Sequence, residues 1–225
     1  MGINVAFTPA EAVPALVGVV VDVLRATSTI AQALASGYRR VLCCAQIEEA
    51  RSLRAEIPDS LVGGERNAVQ IEGFDVGASP REFLEPRAET LILSTTNGTR
   101  AILETAQRCE RVLLGSLLNL RAVAHAARGQ DVVIVCAGFQ GAFAIDDAYC
   151  AGRIVQLLDG ERTDAAVAAE VIAGAFETSL EGLKARTYGP AGLEEDIAFC
   201  ARESVLDVTP RLVGMVGPAA EIMLE

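Results

Sequence analysis

The chain has 225 residues, 51% of them hydrophobic, and carries a formal net charge of −11. Such a length suits one domain with an ample core, and this hydrophobic content excludes intrinsic disorder. The charge argues against a nucleic-acid surface, and no apolar run reaches the roughly 18 residues that a membrane span needs.

Short β-branched or Leu-rich runs bounded by turn signals predict strands at 17–22, 40–45, 61–65, 90–95, 111–116 and 131–137. Apolar residues at helical spacing predict helices over 28–36, 47–55, 99–107 and 118–127. Alternation of this kind predicts an α/β domain with a largely parallel or mixed sheet of about six strands between helices. Beyond residue 146 the chain reads as mostly helical, over 147–158, 164–183 and 193–201, with a break at Gly189-Pro190 and a last short strand at 212–216. No linker or charge block divides it. Residues 1–225 therefore read as one domain, strand-rich over 1–145 and mostly helical over 146–225. The irregular stretch 67–86 is long for a connection and is expected to pack over a site.

The polar residues gather where these strands end. The first ends at Asp22 and Arg25, with Thr27 and Ser28 entering a helix. The third ends in Gly63-Gly64-Glu65-Arg66, the fourth in Thr95-Thr96-Asn97-Gly98-Thr99, and the sixth leads to Asp146-Asp147. If the strands are parallel, these residues share the carboxyl edge of the sheet, where open α/β sheets bind ligands. Each has an ordinary alternative. The Thr-Thr-Asn-Gly-Thr run could be a helix cap, although one cap needs only one such residue. The acidic pair could simply favour a helix dipole, and Gly-Gly-Glu-Arg could be a turn. The paired glycines, however, would let the backbone come close to a ligand.

Four carboxylates on one edge (Asp22, Glu65, Asp146 and Asp147) would repel each other unless a cation sits among them. Oxygen donors without His or Cys favour Mg²⁺. Arg25, Arg66, Thr27, Ser28 and the 95–99 loop suit a phosphate, sulfonate or carboxylate group, because exposed N–H groups and hydroxyls at a helix start cradle oxyanions. Hard cation, arginines and cradle together are what phosphoryl transfer needs. Asp22, Glu65 and Asp147 are the expected catalytic carboxylates, and a strand-end Asp22 suits either attack on phosphorus or metal binding. A cysteine phosphatase needs Cys-x5-Arg, but Ala142 and Glu49 hold the arginine position after Cys136 and Cys43. A dehalogenase-like phosphatase would match Asp22, Thr95 and Asp146-Asp147. Yet Leu24 replaces its second acid, and the sole lysine, Lys184, follows the acidic pair instead of preceding it.

The six cysteines lack metal spacing and read as buried thiols, and His125 reads as a helix-face residue. The amino-terminal residues lack the flanks of a secretory signal, so a cytoplasmic location is expected by elimination.

Five ordered blocks are similar to the 2-phosphosulfolactate phosphatase family: residues 22–29, 63–66, 72–80, 94–99 and 136–152, with a weaker echo around Asp196 and Pro210. Ala78 stands where the family typically has Asn, Asp146 where it often has Glu, and the family's Ser/His stretch is not recognisable near Tyr188. The resemblance implies a three-layer α/β/α fold and a Mg²⁺-dependent phosphatase. The implied reaction turns (R)-2-phospho-3-sulfolactate into 3-sulfolactate and phosphate, in coenzyme M biosynthesis. The expected partner is a small anionic phosphorylated substrate, with no nucleic acid or membrane and with a homo-oligomer left open. A non-catalytic small-anion-binding homologue and a dehalogenase-like phosphatase of other specificity are the alternatives.

Overall fold

The structure is a computed structural model and describes residues 1–187 and 192–225. Strand β1 (Gly2–Ala6) leads through one 3-10 turn to β2 (Ala15–Val21) and helix α1 (Ala26–Ala35). Then follow β3 (Arg40–Cys43), α2 (Ile47–Glu56), β4 (Ser60–Arg66), β5 (Val69–Gln70) and β6 (Thr90–Ser94). The chain continues as α3 (Gly98–Ala106), β7 (Cys109–Gly115), α4 (Leu120–Ala127), β8 (Val132–Cys136) and α5 (Ile145–Val155). The last elements are β9 (Glu161–Arg162), α6 (Asp164–Gly174), α7 (Ser179–Lys184), α8 (Glu194–Cys200), β10 (Pro210–Val216) and β11 (Ala219–Leu224).

All strands join one mixed sheet in the order β5-β4-β6-β3-β11-β10-β7-β2-β8-β1-β9. It has 11 strands, not about six. The six central runs are where the periodicity put them. The last short strand expected at 212–216 is β10, and what the periodicity missed are β1, whose Asn4 interrupts the apolar pattern, the two-residue edges β5 and β9, and β11. The region beyond residue 146 thus supplies strands to the middle of the sheet. The helix expected over 164–183 is two helices: α6 stops at Gly174, and a capping box between Thr178 and Glu181 starts α7. The break expected at Gly189-Pro190 and the Tyr188 stretch lie outside the described residues.

Two parallel sets flank the β10–β11 hairpin. β4, β6 and β3 form one, and β7, β2, β8, β1 and β9 the other. Pairings β3–β11, β11–β10 and β10–β7 are all antiparallel, so the two sets run in opposite senses through the ladder. A shared carboxyl edge therefore does not follow from parallel pairing alone. The segments that follow β2 and β6 nevertheless meet, with Gly98 lying against Asp22 and Ala26.

Burial explains why these runs are strands. Val17, Val19, Val20 and Val21 are wholly inaccessible, as expected for a parallel strand covered on both faces. On one face, Val20, Leu114 and Val133 share a core with Val41, Leu91 and Leu93, and Ile30 of α1 and Ile102 of α3 fill it. On the other face, α4, α5 and α6 cover the β2 set, and α2 covers the β6 set. Helix α1 contacts both parallel sets, through β3 and β7, and α3 packs on α1 and on the β2 set, which brings their amino ends together.

Candidate active site

Asp22 follows the last residue of β2 and is buried. Its Oδ1 accepts the Ala26 N–H at 3.3 Å, the first N–H of α1. Gly98, the first residue of α3, lies directly against it: a Cβ there would stand 2.5 Å from Asp22 Oδ2 and 2.4 Å from Ala26 Cβ. Only glycine allows this approach. Burial, and then the Glu65 carboxylate, push the Asp22 acid up to about 7, so it takes and releases a proton near neutral pH.

Asp147, in the first turn of α5, accepts from two backbone donors, Val23 N–H at 2.9 Å and Gly138 N–H at 3.0 Å. It therefore ties the ends of β2 and β8 together. Burial and the neighbouring Asp146 and Asp22 hold its acid well above the usual range despite these donors. Asp146 Oδ1 accepts the Asp147 N–H at 3.1 Å. Glu65, near the end of β4, accepts Thr96 N–H at 2.7 Å and Ala68 N–H at 2.6 Å, fixing the loop after β6 against the turn after β4.

These carboxylates open onto a cavity of about 290 Å³. Asp22, Glu65, Asp146 and Asp147 line it together with Arg25, Thr95, Thr96 and Asn97. Leu24, Phe139, Ala144 and Leu193 add apolar wall, and Asn67, Ala68 and Ala78 come from the 67–86 stretch, which does pack over the site. The amino ends of α1, α3 and α5 all reach this wall through Ala26, Asn97 and Ala144. The positive ends of their helix dipoles favour an anion here. The Leu24–Arg25 peptide bond is cis.

Several expected ligand residues are used otherwise. The Thr27 hydroxyl donates to Asp22 O at 2.9 Å and accepts the Asp22 N–H at 3.1 Å, while Ser28 Oγ donates to Val23 O at 2.8 Å. Both hold the turn that presents Asp22 and neither lines the cavity. Arg66 points away as well, donating to Ser94 Oγ at 2.9 Å and Ala45 O at 3.2 Å. Within the 95–99 loop the work is divided. Thr95 Oγ1 caps α3 by accepting the Thr99 N–H, Thr99 Oγ1 donates back to Thr95 O, and Gly98 gives the close approach to Asp22. Thr96 and Asn97 remain on the wall, and Asn97 Oδ1 accepts Gln140 N–H at 3.2 Å. Gly63 and Gly64 admit neighbouring chain instead of ligand, since a Cβ on Gly64 would stand 2.3 Å from Ser94 O.

Arg186 and Leu193 also face the cavity, and no motif marks either of them. The six cysteines are buried free thiols, and burial followed by Asp147 holds Cys136 and Cys150 far from the thiolate form, which leaves no cysteine nucleophile here. His125 is exposed on α4.

Among the described residues, no group of three His, Cys, Asp or Glu side chains is arranged to hold a metal ion by itself. Mg²⁺ asks for less, because it is commonly held by one or two carboxylates, with water and substrate phosphate completing the octahedron. The all-oxygen donors Asp22 and Asp146 fit that requirement. Glu65 and Asp147 already accept two backbone N–H groups each. No described helix is long and apolar enough to cross a membrane.

The model of a family described as 2-phosphosulpholactate phosphatase matches residues 4–214. A probable 2-phosphosulfolactate phosphatase of Caldanaerobacter subterraneus subsp. tengcongensis is 39% identical over 209 residues, which cover 86% of each chain. One of Thermotoga petrophila is 38% identical over 223 residues, covering 95% of this chain and 96% of its own. One of Gloeobacter violaceus is 41% identical over 205 residues, covering 86% of each.

Proposed function

The chain belongs to the 2-phosphosulfolactate phosphatase family, and on that premise we propose that it is a phosphoric monoester hydrolase acting on a small anionic 2-phospho acid. The substrate that suits family and cavity is (R)-2-phospho-3-sulfolactate, released as 3-sulfolactate and phosphate. The reaction would serve coenzyme M biosynthesis in the cytoplasm, where the six unpaired, buried thiols are at home. One observation carries the reading. A cavity of about 290 Å³ sets the carboxylates of Asp22 and Asp146 on the same wall as Arg25 and the amino ends of α1, α3 and α5. Such a wall offers cationic and dipolar partners for an oxyanion beside oxygen donors for a cation.

Asp22 and Asp146 would hold Mg²⁺, which when bound neutralises phosphoryl charge and orients water. Arg25 supplies a fixed positive charge, and Thr96 and Asn97 supply polar groups at the start of α3. These groups bind and orient a substrate that carries phosphate, sulfonate and carboxylate groups through charge-assisted hydrogen bonds. Leu24, Phe139, Ala144 and Leu193 keep bulk water from the bound ester, which strengthens every charge interaction inside. Glu65 and Asp147 act on the frame, Glu65 through Thr96 and Ala68, Asp147 through Val23 and Gly138. Without a cation, burial and then Glu65 hold the Asp22 acid up at about 7, and Mg²⁺ bound there would keep it as the carboxylate.

A phosphate-release screen over 2-phospho acids, with Mg²⁺ and with chelator, tests the proposal. Mg²⁺-dependent release, fastest with the sulfonate-bearing ester, is expected. Anion binding without release from any member of the panel would replace the enzyme by a binding protein.

A further inference from the structure

We propose that Asp196 is a positioning residue for Arg25, setting the plane in which that guanidinium meets an anion in the cavity. The inference deepens the functional reading above and rests on it. Arg25 Nη1 stands 2.6 Å from Asp196 Oδ2, and the two side chains are only 9% and 7% exposed. Arg25 Nη2 donates to Ala68 O at 3.3 Å. These contacts hold two corners of a rigid planar fork whose five N–H donors cannot all be used there, so its cavity-facing side is presented in one orientation.

The carboxylate that does this is itself fixed. Asp196 Oδ1 accepts the Ser79 hydroxyl at 2.6 Å, and Arg81 Nη1 lies 3.8 Å from the same oxygen. Three wall segments therefore cross at Asp196. The turn after β2 brings Arg25, the 67–86 stretch brings Ser79 beside Ala78, and α8 brings Asp196 one turn after Leu193. A buried ion pair is weak support for stability, because desolvation offsets much of the attraction and an apolar replacement is often neutral. Directional control of a charged ligand is a use that an apolar pair could not serve.

A double-variant cycle tests the proposal. The Kd for inorganic phosphate by titration calorimetry, and KM and kcat for a 2-phospho acid with Mg²⁺, are measured for wild type, Asp196→Asn, Arg25→Gln and the double variant. Asp196→Asn is expected to raise Kd and KM about tenfold with kcat within about threefold, and the double variant to be no worse than Arg25→Gln alone. Multiplying effects in the double variant overturn the proposal. So does an unchanged KM in Asp196→Asn accompanied only by a lower Tm. If Asp196→Asn does not fold, Ser79→Ala takes its place, with a rise in KM of about two- to fivefold expected and an unchanged KM overturning the idea. Wild-type protein that releases phosphate from no 2-phospho acid, with the Kd cycle still non-additive, sinks the functional reading and leaves the positioning role standing. Wild-type protein that binds no phosphate sinks both.

Discussion

Asp147 and Val23 lie 124 positions apart in the chain, yet Asp147 Oδ1 accepts the Val23 N–H at 2.9 Å. Its other oxygen takes the Gly138 N–H, so one buried carboxylate closes the seam between β2 and β8 directly behind Asp22. Asp147→Asn keeps one acceptor and turns an amide donor toward an N–H group. A buried donor left unpaired costs about 1–3 kcal/mol. Thermal unfolding near pH 4, where the raised Asp147 acid is protonated in the folded chain and costs little, should show a lower Tm, by roughly 2–4 °C for each kcal/mol in a chain of this length. An unchanged Tm would mean that the seam is held by something else.

The acid of Asp22 makes stability depend on pH in a defined direction. Its folded value of about 7 lies above the ordinary 3.8, so the folded state holds this proton more tightly than the unfolded chain does. The resulting stabilisation is full below about pH 4 and is lost as pH rises toward 7. Asp22→Asn cannot titrate. In metal-free buffer its Tm should therefore gain on wild type between pH 4 and 7, and saturating Mg²⁺ should narrow the gap at pH 7.5. Parallel Tm curves across that range would contradict the raised acid.

Gly98→Ala probes the meeting of α1 and α3. The added methyl carbon would stand 2.4 Å from Ala26 Cβ and 2.5 Å from Asp22 Oδ2, and neither helix end can yield without moving the carboxylate. Overpacking of this kind costs about 1–3 kcal/mol. Phosphate release should fall by about tenfold or more, since displacement of a reacting group by an ångström can cost about a hundredfold. A Gly98→Ala protein with wild-type kcat would show that the close approach is not used.

Much of the site was legible because its chemistry sits at strand ends. Asp22, Glu65, Thr95–Asn97 and Asp146-Asp147 each follow or end an apolar run, and they do share one cavity. The division of labour among them was not legible. Thr27, Ser28 and Thr99 look like ligand hydroxyls in sequence, but each bonds a backbone carbonyl within five residues, a local use that spacing cannot distinguish from binding. Arg66 and Arg25 look alike in sequence. Only the tertiary fold turns one toward Ser94 and the other toward the cavity. The fold was legible in the strands that end at the site and in β10, expected at 212–216, and hidden in β11, whose pairing partner β3 comes from far earlier in the chain.

The central claim is that a carboxylate pair on this wall supports phosphoester hydrolysis, and steady-state release of phosphate from (R)-2-phospho-3-sulfolactate tests it most directly. Wild type, Asp22→Asn and Glu65→Gln are compared with Mg²⁺ and with chelator. The account predicts Mg²⁺-dependent turnover by wild type, a loss of at least about a hundredfold in Asp22→Asn, and a smaller loss in Glu65→Gln, whose side chain acts through Thr96 and Ala68. Near-normal turnover in Asp22→Asn would contradict it.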